Sequence, residues 1–159
     1  LHTVNSLSEL RSQAPATRTG GVVNPHACAA PFPGFDALRV AASGRRRRVP
    51  VHADARTAGK LKERFAYCFE APPGSAYPPI LDGHEIHPFE TFVIDGAGGP
   101  VPVSPIPQIH GDIGSLAFRF DGRFGALAYC PDVNDLSDDA VEALGGHGVS
   151  PKRKLEALP

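Results

Sequence analysis

The chain has 159 residues, enough for one domain with a substantial core and too few for two of ordinary size. Its 16 Lys and Arg nearly balance 17 Asp and Glu, so no overall field recruits nucleic acid or an anionic membrane, and any electrostatic partner must be caught locally. No stretch approaches the roughly 20 apolar residues of a membrane-spanning helix, and Cys28, Cys68 and Cys130 lack the spacing of a disulfide framework or zinc ribbon. A soluble protein of the reducing cytoplasm is expected, with no membrane partner and a homo-oligomer left open. The sequence holds no methionine, even at position 1, which raises the expectation of an incomplete reading of a longer gene.

Leu1 to Gly21 has no sustained apolar periodicity and reads as a polar arm or linker over residues 1–21. "VVNPHACAAPFPG" begins as a short strand at Val22 and breaks into a proline-punctuated loop carrying His26 and Cys28. "FDALRVAAS" predicts a helix with Phe35, Leu38 and Ala42 on one face, ended at Gly44 and followed by Arg45 to Arg48. "VPVHA" reads as a strand, and Asp54 can cap a helix running through Phe65 whose apolar face is Ala58, Leu61 and Phe65.

"CFEAPPGSAYPPILDG" reads as a proline-stiffened loop able to cover a site, with Tyr77 placed to stack on a base or sugar. A rigid cover over apolar residues is the equal alternative. Strands are expected at Thr91 to Ile94 and Val101 to Ile109, with prolines that argue for edge or bulged positions. Ser115 to Phe120 and Gly125 to Cys130 then form an antiparallel hairpin with Asp121-Gly122 as the turn signal. Ser137 caps a last helix, "DDAVEAL", whose Asp138 and Asp139 sit at the positive end of the dipole, and Gly145-Gly146 stops it. Residues 22–146 make the domain and 147–159 a loose tail.

Both free ends of a hairpin return to one rim of its sheet, so His110 and Asp132 can converge there, with Asp112 and Asp135 nearby. Imidazole and carboxylate suit zinc, manganese or iron. The plainer reading is a histidine bonded to backbone and an aspartate capping the turn before the last helix.

At these residues the chain resembles the metallo-β-lactamase-fold hydrolases, in the branch of phosphoribosyl cyclic phosphodiesterases and tRNA-trailer endonucleases. The resemblance rests on "VPVHADARTAGKLKERFAYCFEAPPGSAYPPIL", "PIPQIHGDIGSLAFRF" and "LAYCPDVNDLSDDAVEAL". It implies an α/β fold, a four-layer αβ/βα sandwich, here incomplete because the first sheet's leading strands and a final histidine have no counterpart. It also implies metal ligation by His110 and Asp132, the latter bridging two divalent cations, zinc or manganese, about 3.5 to 4 Å apart, where hydroxide attacks a phosphodiester. The family's His-x-His-x-Asp-His signature falls on "HACAAP". His26 fits its first histidine, Cys28 stands at the second and could ligate as a thiolate, and Ala30 and Pro31 replace the aspartate and last histidine.

The arginine run could bind phosphates but reads better as a solvated loop, which makes nucleic acid an unfavoured partner. His84 and His87 read as surface residues, His52 as structural or surface, and Cys68 and Cys130 as small buried hydrophobes. The expected function is a metal-dependent hydrolase acting on a small phosphodiester. The alternative is a catalytically impaired relative, its metal set incomplete or absent, serving as a binding or interaction module.

Overall fold

In the computed structural model the described residues are 20–26, 38, 42, 47–96 and 98–145. The arm over 1–19, Cys28, Ala30, Pro31 and the tail over 147–159 lie outside them. Two sheets form the middle of the domain. One is parallel, in the order β1 (Val22–Val23), β2 (Val49–Ala53), β3 (Leu81–Glu85), and the other antiparallel, in the order β4 (Phe92–Gly96), β5 (Gly99–His110), β6 (Ile113–Gly122), β7 (Gly125–Tyr129).

Alternation along the strands assigns each layer its partner. On β2, Val49, Val51 and Ala53 point to one face and pack with Leu81, with Leu61, Cys68 and Phe69 of helix α1 (Ala55–Phe69), and with the helical residues Leu38 and Ala42. The spacing of Leu38 and Ala42 bears out the helix face expected there; Phe35 lies outside the described residues. The opposite face of the parallel sheet meets the antiparallel one: Val23 and Ile86 pack with Phe92, Val103, Leu116, Phe118 and Phe120. On the far side of the antiparallel sheet, Ile106 and Ala117 pack with Ala140 and Leu144 of helix α2 (Asp138–Ala143) and its end. The layers therefore run helix, sheet, sheet, helix, with the deepest burial on β2, β5 and β6 and the strands β3, β4 and β7 at the sheet edges largely exposed.

The helix boundaries follow local chemistry. Asp54 accepts hydrogen bonds from the Thr57 amide (2.8 Å) and hydroxyl (3.0 Å), as an N-cap should. α1 runs past Phe65, where the expected helix ended, to Phe69, with non-helical backbone at Phe65 (φ −127°, ψ 34°). The kink keeps Cys68 and Phe69 in the core. Ser137 caps α2 through the Ala140 amide (3.2 Å), and Arg119 donates from Nη1 to the Ala143 carbonyl (3.2 Å), tying the helix's last turn to β6.

Three sequence expectations change. β3 occupies a stretch expected to be loop, because "LDGHE" pairs residue for residue with β2, from Val49 with Leu81 to Ala53 with Glu85. The β6–β7 turn is Arg123-Phe124 rather than Asp121-Gly122, since Gly122 pairs with Gly125. β5 is an interior strand despite Pro100, Pro102, Pro105 and Pro107. Residues of a strand point their amides alternately to the two neighbours, and Ile109 donates away from β6, to the Asp135 carbonyl (3.0 Å). Pro105 and Pro107 share that direction and lie beyond β4, which pairs only with Gly99 to Val103. Pro100 and Pro102 face the other way, ahead of the β6 pairing that begins at Val103. Each missing amide falls where no ladder bond is made.

Candidate metal centre

Three segments bring the site together, each pinned by backbone bonds. After β1 the Asn24 amide donates to the His52 carbonyl (2.9 Å), and the Pro25 carbonyl accepts from the Leu116 amide of β6 (2.9 Å). The first bond holds the exit of β1 to its own sheet and the second holds it to the other. His26 follows directly, buried at the seam between them. His110 is the last residue of β5, paired with Ile113 across the two-residue turn Gly111-Asp112, and Gly111 takes φ +57°, a conformation that favours glycine.

Asp132 arrives on the segment between β7 and α2, which leaves β7 and crosses to the free edge of β5. There the Asn134 amide donates to the Ile109 carbonyl (2.8 Å), and Ile109 and Asp135 form an antiparallel bridge. The buried Gln108 side chain fixes the crossing by donating from Nε2 to the Pro131 carbonyl and to Ser115 Oγ, the latter at 2.9 Å. Asp132 itself has φ +49°, which aspartate tolerates better than most residues but which still costs of order 1 kcal/mol.

The result is a compact cluster. His26 Nε2 lies 3.2 Å from Asp132 Oδ2, and the His26 and His110 rings stack with centroids 5.4 Å apart and planes 29° from parallel. One ligand atom from each of His26, His110 and Asp132 lies within 4.8 Å of the other two. His110 Nδ1 is also 3.2 Å from Asn134 Oδ1. Burial at one end and exposure at the other give the site a floor and an opening: the His26 side chain is 11 % exposed and that of Asp132 62 %. Next to it, burial first and then the Asp132 charge push the Tyr129 hydroxyl above its ordinary pKa, and burial does the same to the Cys130 thiol. The Tyr129 side chain is thereby held neutral beside the carboxylate, while Cys130 packs towards Ile106 and Ala140.

Two imidazole nitrogens and a carboxylate oxygen are the donor set of a zinc, manganese or iron site with coordination positions left open. The three residues fit one divalent cation. Among the described residues they are the only such cluster of three or more.

The structure thus gathers His26, His110 and Asp132, three of the residues expected to ligate, while Cys28 lies outside the described residues. Tyr77 is not brought to them. It is 73 % exposed on the loop entering β3 at its N-terminal end, whereas His26 leaves β1 at its C-terminal end, and in a parallel sheet those ends are opposite. His84 is a surface residue as expected, 3.2 Å from Asp82, and His52 is structural, buried between the sheets. Sequence reading missed Gln108 and Asn134. The signal available was their proximity in sequence to His110 and Asp132, but nothing in it says that a strand-end glutamine reaches across to position 131.

Residues 21–150 match the family described as the Beta-lactamase superfamily domain. Among solved structures the chain is similar to the metallo-beta-lactamase fold protein YhfI from Bacillus subtilis, at 17 % identity and a TM-score of 0.53, over 77 % of this chain and 44 % of that one. The chain therefore spans less than half the length of that neighbour. No curated protein matches it. The chain belongs to the β-lactamase superfamily, and its two packed sheets with a helix on each outer face are an incomplete form of the metallo-β-lactamase fold.

Proposed function

We propose that this member of the β-lactamase superfamily is a metal-dependent hydrolase of the phosphodiesterase type, holding a divalent cation, zinc or manganese, between His26, His110 and Asp132. One observation carries the reading. Two imidazoles and a carboxylate from positions 26, 110 and 132 meet with ligand atoms within 4.8 Å, each on a segment pinned by bonds to neighbouring strands.

When bound, a divalent cation supplies Lewis acidity that polarises a phosphoryl oxygen and lowers the pKa of water. The protein's own residues supply the rest. Buried His26 fixes the position of the site against β6 through the Pro25 to Leu116 bond. The stacked His110 ring limits approach from its side, and the exposed Asp132 carboxylate presents an acceptor to an incoming water or substrate hydroxyl.

A second reading, a catalytically impaired relative that binds metal without turnover, is favoured by the side chains at Ala30 and Pro31, which offer neither a ligand atom nor a general base. One experiment separates the two. Purified protein is titrated with zinc and with manganese, then assayed on bis(p-nitrophenyl) phosphate. Stoichiometric metal with turnover abolished by Asp132→Ala supports the hydrolase, stoichiometric metal without turnover supports the impaired relative, and absence of metal binding refutes both.

A further inference from the structure

We propose that Asn134 selects the nitrogen with which His110 binds the cation, holding the ring as its Nδ1–H tautomer so that Nε2 carries the lone pair. The inference rests on the metal-binding reading above and assigns a positioning residue to it.

Neutral imidazole carries one N–H and one lone pair, and the group bonded to one nitrogen decides which is which. Asn134 Oδ1 lies 3.2 Å from His110 Nδ1, and a carbonyl-type oxygen can only accept, so Nδ1 must donate. The two partners are held by the same bridge. His110 follows Ile109, Asn134 precedes Asp135, and Ile109 and these two residues exchange backbone bonds: the Ile109 amide to the Asp135 carbonyl at 3.0 Å and the Asn134 amide to the Ile109 carbonyl at 2.8 Å. Stacking on His26 fixes the plane of the His110 ring, leaving the 180° flip about Cβ–Cγ, which keeps that plane, for Asn134 to settle. The bridge does not need the Asn134 side chain, which is exposed and packs into no core. Its amide group is thus dispensable for the fold and placed for the imidazole, the arrangement expected of an outer partner that orients a metal-ligating histidine.

The opposite assignment of the Asn134 amide would put Nδ2 against Nδ1 and force the Nε2–H tautomer, so the proposal makes a choice that an experiment can reverse. Three proteins are compared: wild type, Asn134→Leu, which removes the acceptor, and Asn134→Asp, which keeps an oxygen in place. Zinc affinity is measured by competition with a chromophoric chelator. The His110 tautomer is read in the metal-free proteins from imidazole proton–nitrogen correlation spectra at about pH 8, above the usual histidine range, with His110→Gln identifying the resonance.

The expected result is Nδ1–H in wild type and Asn134→Asp, a shift towards Nε2–H in Asn134→Leu, and zinc affinity about 10- to 100-fold weaker in Asn134→Leu but retained in Asn134→Asp. Equal zinc affinity in wild type and Asn134→Leu, or an Nε2–H tautomer in wild type, overturns this inference and leaves the metal site standing. Failure of wild type to bind zinc or manganese overturns both.

Discussion

His52 offers the sharpest test of the packing between the sheets. Its ring is 8 % exposed and stacks on Phe92 (centroids 4.6 Å) and on His84 (5.0 Å), with Val23 paired beside it on β1. Burial first, and the neighbouring His84 second, lower its pKa from 6.5 to about 4. Between those values the unfolded chain binds a proton that the folded one refuses, so stability rises with pH through this window. The contribution is fully present above pH 6.5 and lost as pH falls towards 4. A displacement of that size corresponds to about 3 kcal/mol in all, of which about 2 kcal/mol is gone by about pH 5. His52→Phe keeps an aromatic ring between Phe92 and His84 and removes the proton. Urea unfolding of both proteins across this range, with m-values checked for constancy, should show the wild type losing about 2 kcal/mol more than the variant between neutral pH and pH 5. Parallel loss in the two proteins would refute the claim that this ring is buried neutral at the junction of the sheets.

Two further outcomes follow from particular contacts. Phe118 is fully buried in the layer between the sheets, and Phe118→Ala should cost about 3 to 5 kcal/mol, seen as a lower urea midpoint at unchanged m-value. Asp132→Gly should relax the backbone at φ +49° and leave stability within about 1 kcal/mol of wild type, while zinc binding measured by chelator competition is lost.

The helix caps were legible because they are local: Asp54 and Ser137 each bond an amide three residues on. His110 and Asp132 were legible as a pair because a hairpin's ends return to one rim; His110 stands just before β6 as expected and also ends β5. What stayed hidden depends on tertiary pairing. β3 reads as loop because Asp82, Gly83, His84 and Glu85 are weak strand formers, all exposed, and pairing to β2 overrides that preference.

The β6–β7 register is another case. A turn at Asp121-Gly122 would set Phe118 opposite Gly125 and Phe120 opposite Arg123, whereas the observed register sets them opposite Tyr129 and Leu127. Apolar cross-strand pairing outweighs the local turn signal. The convergence of His26 with His110 and Asp132 needed the family resemblance as well, since no local pattern links positions 26 and 132.

The prolines of β5 bear on how this protein meets other copies of itself. Where a neighbouring strand stops short, an interior strand exposes a length of unused backbone that any extended chain could extend by hydrogen bonding. β5 has one such length, Gly99 to Pro102 on the side of β6, and Pro100 and Pro102 stand along it where an incoming strand would seek donors. That margin is closed to strand addition by its own covalent chemistry, while Pro105 and Pro107 lie on a stretch already covered, where Phe89 donates to the Pro105 carbonyl (2.8 Å) and Ile109 bonds Asn134 and Asp135. β7 has no such guard: "GALAY" is uncharged and free of proline, and Leu127 is 63 % exposed beside Phe124 at 95 %. Among the described residues β7 is thus the edge at which strand addition is expected, and a lysine at Ala128 is the substitution that should suppress it.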